Sequence, residues 1–360
     1  MKDSYLLVGI RLSVFFKLLN KNKITYSFKN LLRLLFLFIN AFWASLFAYI
    51  EKRKFGKKLL NTSIPDKPVI ILGHWRTGST LLHQLMSLDS KFVFPTLFQT
   101  TIPDSFLVSK KYYKPIMGRI MPKQRPMDSM KSGFDEPQED EYATFRINGV
   151  SPLERLVFPV SGNYFLADYN DNVDLNSFNK DWLKALILFC KKVVFNNNRN
   201  LLLKNPFFTS RVESLLEIFP NAKFIHIYRE PLAVVKSTIR MWDIVGKQNA
   251  LNNKWSKPTI NAVAKYYSEM MNDFSNVSKT IKQGNICEIK YEDLINNPVE
   301  QISIIYKVLG LDFTKDFSQK ITNYFTENKE YKINTHDFIY SEKNIVYDIM
   351  KTYTEKYGYE

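Results

Sequence analysis

A glycine-containing loop between a strand and a helix constrains the fold of this chain more than any other feature. Val69 to Leu72 has the aliphatic pattern of a buried strand, and Ser79 to Ser87 has the pattern of a helix. The intervening segment, GHWRTG, has the G-x-x-x-x-G spacing of a phosphate-binding loop. Backbone N–H groups of such a loop, with the positive end of the next helix, bind phosphate oxygens. A phosphorylated ligand is therefore expected here.

The same loop argues against triphosphate chemistry. Ser79 stands where a nucleotide triphosphatase has the lysine that reaches the β- and γ-phosphates. The nearby cation is instead Arg76, which precedes the second glycine and can reach back over a bound anion. A divergent nucleotide kinase or triphosphatase is therefore a disfavoured alternative. A strand-to-helix turn with no ligand is also disfavoured, because strand, loop and helix coincide with the motif.

The chain downstream of the loop alternates strands with helical patterns. Further strands are predicted at 201–203, 223–228 and 286–290. This alternation predicts an α/β fold with a central parallel sheet and right-handed crossovers, in three α/β/α layers. Residues 1–64 are expected to form a basic, apolar helical region and residues 65–360 the α/β domain. A helical insertion at about 95–200 is expected over the carboxyl edge of the sheet, where such folds bind ligands.

A second element predicts another phosphate site. The strand at 223–228 runs into Arg229, and Pro231 suits the first position of the following helix. Arg229 therefore lies at the carboxyl end of a strand, where α/β sheets bind ligands. An arginine there is suited to bidentate phosphate capture, and Ser237, two turns further on, can add a hydroxyl.

These motifs together resemble the family of sulfotransferases that use 3′-phosphoadenosine 5′-phosphosulfate (PAPS), in particular its bacterial branch. The resemblance covers about residues 68–310 and includes GHWRTGSTLL, DEPQEDE, LLLKNP and YEDL. It implies a P-loop-like fold, PAPS as co-substrate and no metal. It also implies roles for individual residues. These are Arg76 as the catalytic basic residue, Thr77, Gly78, Ser79 and Thr80 around the 5′-phosphosulfate, Arg229 and Ser237 on the 3′-phosphate, and Tyr291 near the adenine.

Sulfuryl transfer requires cations for the leaving phosphate and a base for the acceptor proton. Arg76 and Lys204 can supply the charge. In cytosolic sulfotransferases the base is a histidine two residues after a strand-terminal lysine, but this chain has Lys204-Asn205-Pro206. A carboxylate base, as in carbohydrate sulfotransferases, is therefore expected. The histidines are interpreted as structural, and they are His74, His83, His226 and His336.

Residues 135–143, DEPQEDEYA, contain the candidate bases. If Pro137 begins a helix, then Glu136, Glu139 and Ala143 share one face, and Glu139 lies beside the apolar side. Partial burial would raise the pKa of such a carboxyl and suit it to act as a base. The order of preference is Glu139, Glu136, Asp140 and Glu141. The alternative is that these acids only stabilise a helix N-terminus.

The N-terminal region combines positive charge with apolar length. The net charge of the chain is +15, and residues 1–60 contribute +10 from twelve Lys and Arg against Asp3 and Glu51. The 17-residue apolar stretch from Leu34 to Ile50 has basic flanks and no following cleavage site, so a secretory signal fits poorly. Contact with the inner face of the membrane by a cytoplasmic enzyme is predicted, with surface association favoured over a single transmembrane span.

The remaining features define the expected acceptor and compartment. Two distant cysteines with no metal-ligand spacing around them indicate a reducing compartment and no zinc site. The acceptor is expected to be a hydroxyl or amine of a small molecule, a lipid or a membrane-linked glycan, and no nucleic-acid partner is expected. An inactive, membrane-bound nucleotide-binding scaffold is the alternative from another functional class.

Overall fold

The centre of the computed structural model is a parallel sheet. The structure describes residues 5–117, 133–160, 164–167, 175–327 and 340–359. In this part of the chain the sheet has five strands in the order β2-β3-β1-β4-β5. The strands are β1 (Val69–Leu72), β2 (Phe92–Val93), β3 (Asn200–Lys204), β4 (Lys223–Tyr228) and β5 (Ile286–Lys290). The predicted bounds of β1, β4 and β5 are confirmed, and the two-residue strand β2 was not predicted.

Helices cover both faces of this sheet. The α-helices described here are α1 (Leu12–Lys21), α2 (Phe28–Leu60), α3 (Ser79–Ser87), α4 (Leu97–Thr101), α5 (Phe106–Met117), α6 (Glu141–Asn148), α7 (Glu154–Val157), α8 (Leu175–Val193), α9 (Val212–Ile218), α10 (Pro231–Asn249), α11 (Ile260–Val277), α12 (Tyr291–Asn296), α13 (Pro298–Val308), α14 (Lys315–Glu327), α15 (Tyr340–Ile349) and α16 (Lys351–Tyr357). On one face, β-strand residues such as Ile71 and Ile225 pack with α3, α13 and α14. On the other, the ring of His226 in β4 lies 4.2 Å from the ring of Phe274 in α11. The expected three-layer α/β fold is therefore present.

The chain divides into two compact units. The first comprises Met1–Ile64, Pro95–Asn197 and Met241–Pro258, and the second comprises Pro65–Phe94, Asn198–Arg240 and Thr259–Glu360. The second unit contains the whole sheet. The first is helical, and its helix α2, 33 residues long, meets the length and hydropathy expected of a membrane-crossing helix. Core helices of soluble proteins and signal sequences can meet the same criteria.

The predicted helix beginning at Pro137 is wrong. Pro137 pairs with Thr96 in an antiparallel bridge, Leu97 N–H donates to the Glu136 carbonyl, and Gln138 N–H donates to the Pro95 carbonyl. These bonds hold the backbone out of the helical conformation, and α6 begins only at Glu141. The inferred common face of Glu136, Glu139 and Ala143 therefore does not exist. A proline followed by acids is a local signal for a helix start. It carries no information about pairing with residues 95–97, about forty positions away.

Candidate phosphate-binding and catalytic site

The carboxyl edge of the sheet gathers the candidate cofactor residues of the second unit. Strand β1 leads into the GHWRTG loop, and its neighbour β4 leads into Arg229. On its other side β1 pairs with β3, in which Lys204 lies opposite Ile71. Strand β5 pairs with β4 and leads into Tyr291. Because parallel strands end at one edge, residues scattered over more than two hundred positions meet there.

The loop has a backbone that requires its glycines. Gly73 and Gly78 have φ angles of 141° and 97°. A Cβ at Gly73 would lie 2.6 Å from the Ile227 carbonyl oxygen, and one at Gly78 would lie 2.2 Å from the Tyr291 ring. Side chains are thus excluded from the two glycine positions of the loop that leads into α3, whose N-cap is Gly78. This is the cradle expected for a phosphate group.

Arg76 adopts a left-handed conformation, with a φ of 70°. Such a conformation costs about 1–3 kcal/mol in a residue with a side chain, and it persists where surrounding contacts enforce it. One of those contacts is the hydrogen bond from Arg76 Nε to Ser237 Oγ, at 2.8 Å. Another is the bond from Arg229 Nη1 to the Arg76 carbonyl oxygen, at 3.2 Å. The structure therefore brings together three of the predicted phosphate-site residues.

Tyr291 connects the loop to Arg229. The Arg229 guanidinium carbon lies 4.2 Å from the centroid of the Tyr291 ring, and the edge of the same ring approaches Gly78. Stacking of this kind restricts an arginine to one plane while leaving its N–H groups available for hydrogen bonds. Tyr291 therefore orients Arg229. The resemblance had implied a position near the adenine for Tyr291, not a contact with the arginine of the 3′-phosphate site.

Lys204 and Thr80 form another part of the site. Lys204 is 2% exposed, and its Nζ donates to Thr80 Oγ1 at 3.2 Å. Behind the loop, Gly73 N–H donates to Thr209 Oγ1 at 2.9 Å. Thr209 was not predicted, because a threonine 136 positions from the loop has no local signal. Arg76, Arg229 and Lys204 thus give this edge of the sheet three positive side chains.

The backbone of Arg229 is fixed by tyrosines near the end of the chain. Tyr353 in α16 accepts the Arg229 N–H at 3.2 Å and donates to the Arg229 carbonyl oxygen at 2.8 Å. Tyr267 in α11 donates in turn to the Tyr353 hydroxyl at 2.8 Å. Every polar atom in this chain of bonds has a partner, which rigidifies buried networks. Neither tyrosine was predicted, because a partner 124 positions from Arg229 leaves no local signal in the sequence.

His74 and His226 are buried in the second unit. Burial lowers the pKa of His74 to about 3, although its Nδ1 donates to the Trp75 carbonyl oxygen. The His74 ring also stacks on Tyr267 at 4.1 Å between centroids. Burial likewise lowers the pKa of His226, which bonds Glu288 at 2.8 Å. Both rings are neutral near pH 7 and serve as packing groups, whereas His336 lies outside the described residues.

The candidate bases belong to the first unit. Glu136 and Glu139 are each partly exposed, whereas Asp140 and Glu141 are buried. Glu141 accepts the Ser151 hydroxyl at 2.5 Å, a bond that anchors the first turn of α6. Glu141 therefore has a structural contact of its own. The role of Glu139, with Glu136 second, stays a prediction.

No cluster of three or more His, Cys, Asp or Glu with metal-binding geometry occurs among the residues that the structure describes. The donors gathered at the loop are instead cationic and hydroxyl groups. Such groups bind the oxygens of an anion rather than a metal ion.

Comparison with known proteins assigns the chain to a family. The pattern of the Sulfotransferase family matches residues 68–315. The chain belongs to that family. Among curated sulfotransferases, the omega-hydroxy-beta-dihydromenaquinone-9 sulfotransferase Stf3 of Mycobacterium bovis is 30% identical over 314 residues. That match covers 86% of this chain and 80% of the relative, and Stf3 of Mycobacterium tuberculosis matches equally.

Solved sulfotransferases share the fold. The crystal structure of sulfotransferase STF9 from Mycobacterium avium matches with a TM-score of 0.72 over 96% of this chain and 89% of that one, at 14% identity. For STF1 from Mycobacterium tuberculosis the TM-score is 0.62 over 95% and 91%, at 15% identity. The P-loop-like architecture expected from the sequence is therefore confirmed, and this chain is a transferase of the sulfotransferase family.

Proposed function

We propose that this sulfotransferase moves the sulfuryl group of PAPS to a hydroxyl of a lipid-like acceptor. The observation that carries the proposal is the junction of Arg76, Ser237 and Arg229 beside the loop. A ligand with a single phosphate group needs only the loop. A second set of phosphate ligands beside it suits a nucleotide such as PAPS, which has phosphate groups at both the 5′ and 3′ positions.

The residues of this unit fit PAPS. Thr77, Gly78, Ser79 and Thr80 at the start of α3 would hold the 5′-phosphosulfate, because N–H and hydroxyl groups meet the positive end of the helix there. Arg229 and Ser237 would hold the 3′-phosphate. The Tyr291 ring would contact the adenine as well as Arg229.

The catalytic roles follow from charge. Bound PAPS would supply the sulfuryl group, whose bond to the phosphate oxygen breaks as a bond to the acceptor oxygen forms. Arg76 and Lys204 would stabilise the negative charge left on the phosphate. We propose Glu139, and next Glu136, as the base that takes the acceptor proton. This proposal is supported by Asn205 and Pro206, which stand where cytosolic relatives have their histidine.

A lipid acceptor is supported by the curated relative. Stf3 is named as a sulfotransferase for omega-hydroxy-beta-dihydromenaquinone-9, an acceptor with an omega-hydroxyl group. We propose the same chemical class, an apolar lipid with an alcohol, as the acceptor here. We further propose that residues 65–360 form the sulfotransferase domain, that the insertion at about 95–200 covers the acceptor, and that the enzyme works on the cytoplasmic side of the membrane.

Thermal unfolding with two nucleotides tests the cofactor assignment. 3′-Phosphoadenosine 5′-phosphate should raise the Tm strongly, since a ligand at a hundredfold excess over Kd stabilises by about 2.7 kcal/mol. ATP at equal concentration should raise it much less, because ATP has no 3′-phosphate for Arg229. Equal shifts with both nucleotides would contradict the assignment.

A variant pair locates the effect. Arg229→Ala should weaken binding of the 3′-phosphorylated nucleotide by about 10- to 100-fold, as expected for a lost charge-assisted bond. Arg240→Ala removes an exposed arginine from α10, the helix that follows Arg229, and should leave the affinity unchanged. Binding without any transfer from labelled PAPS to lipid extracts would instead support the inactive scaffold.

A further inference from the structure

One face of α2 exposes large apolar side chains. The described residues of this face, called here the apolar face, are Leu31, Leu32, Leu35, Phe38, Ile39, Phe42, Trp43, Leu46, Tyr49 and Ile50, each at least 40% exposed. Only 17% of the most apolar 18-residue window of α2 is buried. Soluble monomers rarely expose a continuous apolar surface of this size, so a surface like this marks an interaction site.

The polar side chains of α2 within this stretch are bonded to its own unit. Asn40 and Ser45 are the two polar residues that interrupt the apolar stretch at 34–50. Asn40 Oδ1 accepts the Gly9 N–H at 2.7 Å, and Ser45 Oγ accepts the Leu12 N–H at 2.8 Å. The polar groups of the helix therefore point inward, and the outward side chains of that stretch are apolar.

Residues at both ends of the apolar stretch are also bonded to the same unit. Arg33 donates to the carbonyl oxygens of Gln248 and Ala250, at 3.1 and 2.9 Å. Glu51 is 2% exposed and forms an ion pair with Lys192, which is also buried. Crossing a bilayer would break these bonds and place Asn40, Ser45 and a charged residue in hydrocarbon. The length of α2 permits a span, but its contacts do not.

Positive charge flanks the apolar face. Lys29 precedes it, and exposed basic residues follow it at Lys52, Arg53, Lys54, Lys57 and Lys58. Glu51 is the one acid in the sequence between positions 4 and 60, and it is buried against Lys192. The accessible charge along α2 is thus positive. This favours an anionic lipid surface over a second copy of the chain, whose equivalent face would be equally positive.

We propose that the apolar face docks α2 in the plane of an anionic membrane, at the boundary of headgroups and acyl chains, without crossing it. The apolar side chains enter the boundary region, and the basic residues at the two ends contact lipid phosphates. This is the arrangement of an interfacial amphipathic helix carried on a folded domain. The inference stands independently of the reaction proposed above.

Flotation with lipid vesicles tests the docking. The full chain should float with phosphatidylcholine vesicles that contain phosphatidylglycerol, and much less with phosphatidylcholine alone. Lys52→Gln, Arg53→Gln and Lys54→Gln should each reduce partitioning into these vesicles by about fivefold.

Phe42→Asp combined with Trp43→Asp should abolish flotation. Ile304→Asp, an exposed apolar position in α13, is the matched control and should float like the parent chain. Flotation unchanged by the Asp pair would overturn the proposal.

Fluorescence of Trp43 distinguishes docking from crossing. Trp43 is 47% exposed, and its signal is the difference between the parent chain and Trp43→Phe. Docking in the plane, about 5–10 Å deep, predicts the strongest quenching by bromines placed near the headgroups. Strongest quenching by bromines at the acyl-chain ends would indicate a span and overturn the proposal. A stable dimer in buffer that shields Trp43 and does not float would overturn it too.

Discussion

At the residue scale, the proposed base is the role that depends most on a single side chain. Glu136 and Glu139 lie on either side of Pro137 and Gln138, in a segment held by bonds to residues 95–97 rather than by a helix. Helix α6 begins at Glu141, and its N-cap residue is Asp140. The helix-stabilising explanation and the catalytic one predict different stabilities for Glu139→Gln.

Glu139→Gln should lower turnover by about 10²- to 10⁴-fold, because Gln keeps the size of the side chain and removes the proton acceptor. Affinity for 3′-phosphoadenosine 5′-phosphate and the Tm should remain those of the parent chain. Single-turnover rates and Tm measured on one preparation test this. The exposed neighbour Asp135, changed to Asn, is the control. Normal turnover of both Glu139→Gln and Glu136→Gln would place the base outside this segment.

At the scale of the element, helix α16 contacts the candidate ligand site through one hydroxyl. The Tyr353 hydroxyl bonds both backbone polar groups of Arg229, and the Arg229 side chain bonds the loop at Arg76. Tyr353→Phe removes that hydroxyl and keeps the ring. We expect it to raise the Kd of the 3′-phosphorylated nucleotide and to cost about 1–3 kcal/mol of stability, the cost of unsatisfied buried groups.

Tyr267→Phe is the matched control for this element. It removes the outer hydroxyl of the same network and leaves both Tyr353 bonds to Arg229 in place. Stability should fall while the nucleotide Kd changes little. Calorimetric titration of both variants measures the affinities. If the two variants weaken nucleotide binding equally, the effect is general loosening of the network, and Tyr353 is not a positioning residue.

At the scale of the whole molecule, buried neutral histidines make stability depend on pH. The pKa of His74 is about 3 in the folded chain, against an ordinary value near 6.5 after unfolding. Between these values the unfolded chain binds the proton and the folded chain does not, so the free energy of unfolding falls as pH falls from 6.5 to 3. Burial also lowers the pKa of His226, which acts in the same direction.

His74→Phe isolates the contribution of one ring. The variant keeps an aromatic ring against Tyr267 and removes the titrating group. Between pH 6 and pH 4 its free energy of unfolding should decrease less steeply than that of the parent chain. The two slopes should differ by about 1.4 kcal/mol per pH unit. Urea unfolding at pH 7, 6, 5 and 4 gives both slopes. Identical slopes for the parent and the variant would show that His74 titrates alike in both states.

Local patterns in the sequence were sufficient for much of the sheet and the phosphate loop. The bounds of β1, α3 and β4 were predictable because aliphatic strand runs, a G-x-x-x-x-G loop and a proline after Arg229 act over a few residues. The meeting of Arg229 with the loop was also predictable, because parallel strands share one carboxyl edge.

The tertiary structure decided whatever depends on partners distant in the chain. Pro137 follows an extended path because it pairs with Thr96, and Arg229 is fixed by Tyr353, which is 124 positions away. The side chains of Asn40 and Ser45 likewise point inward because they accept hydrogen bonds from the backbone N–H groups of Gly9 and Leu12. Sequence periodicity shows that a helix is apolar, but hydrogen bonds to the rest of the fold decide which face stays outside. These pairings satisfy polar groups across the chain, which no local pattern encodes.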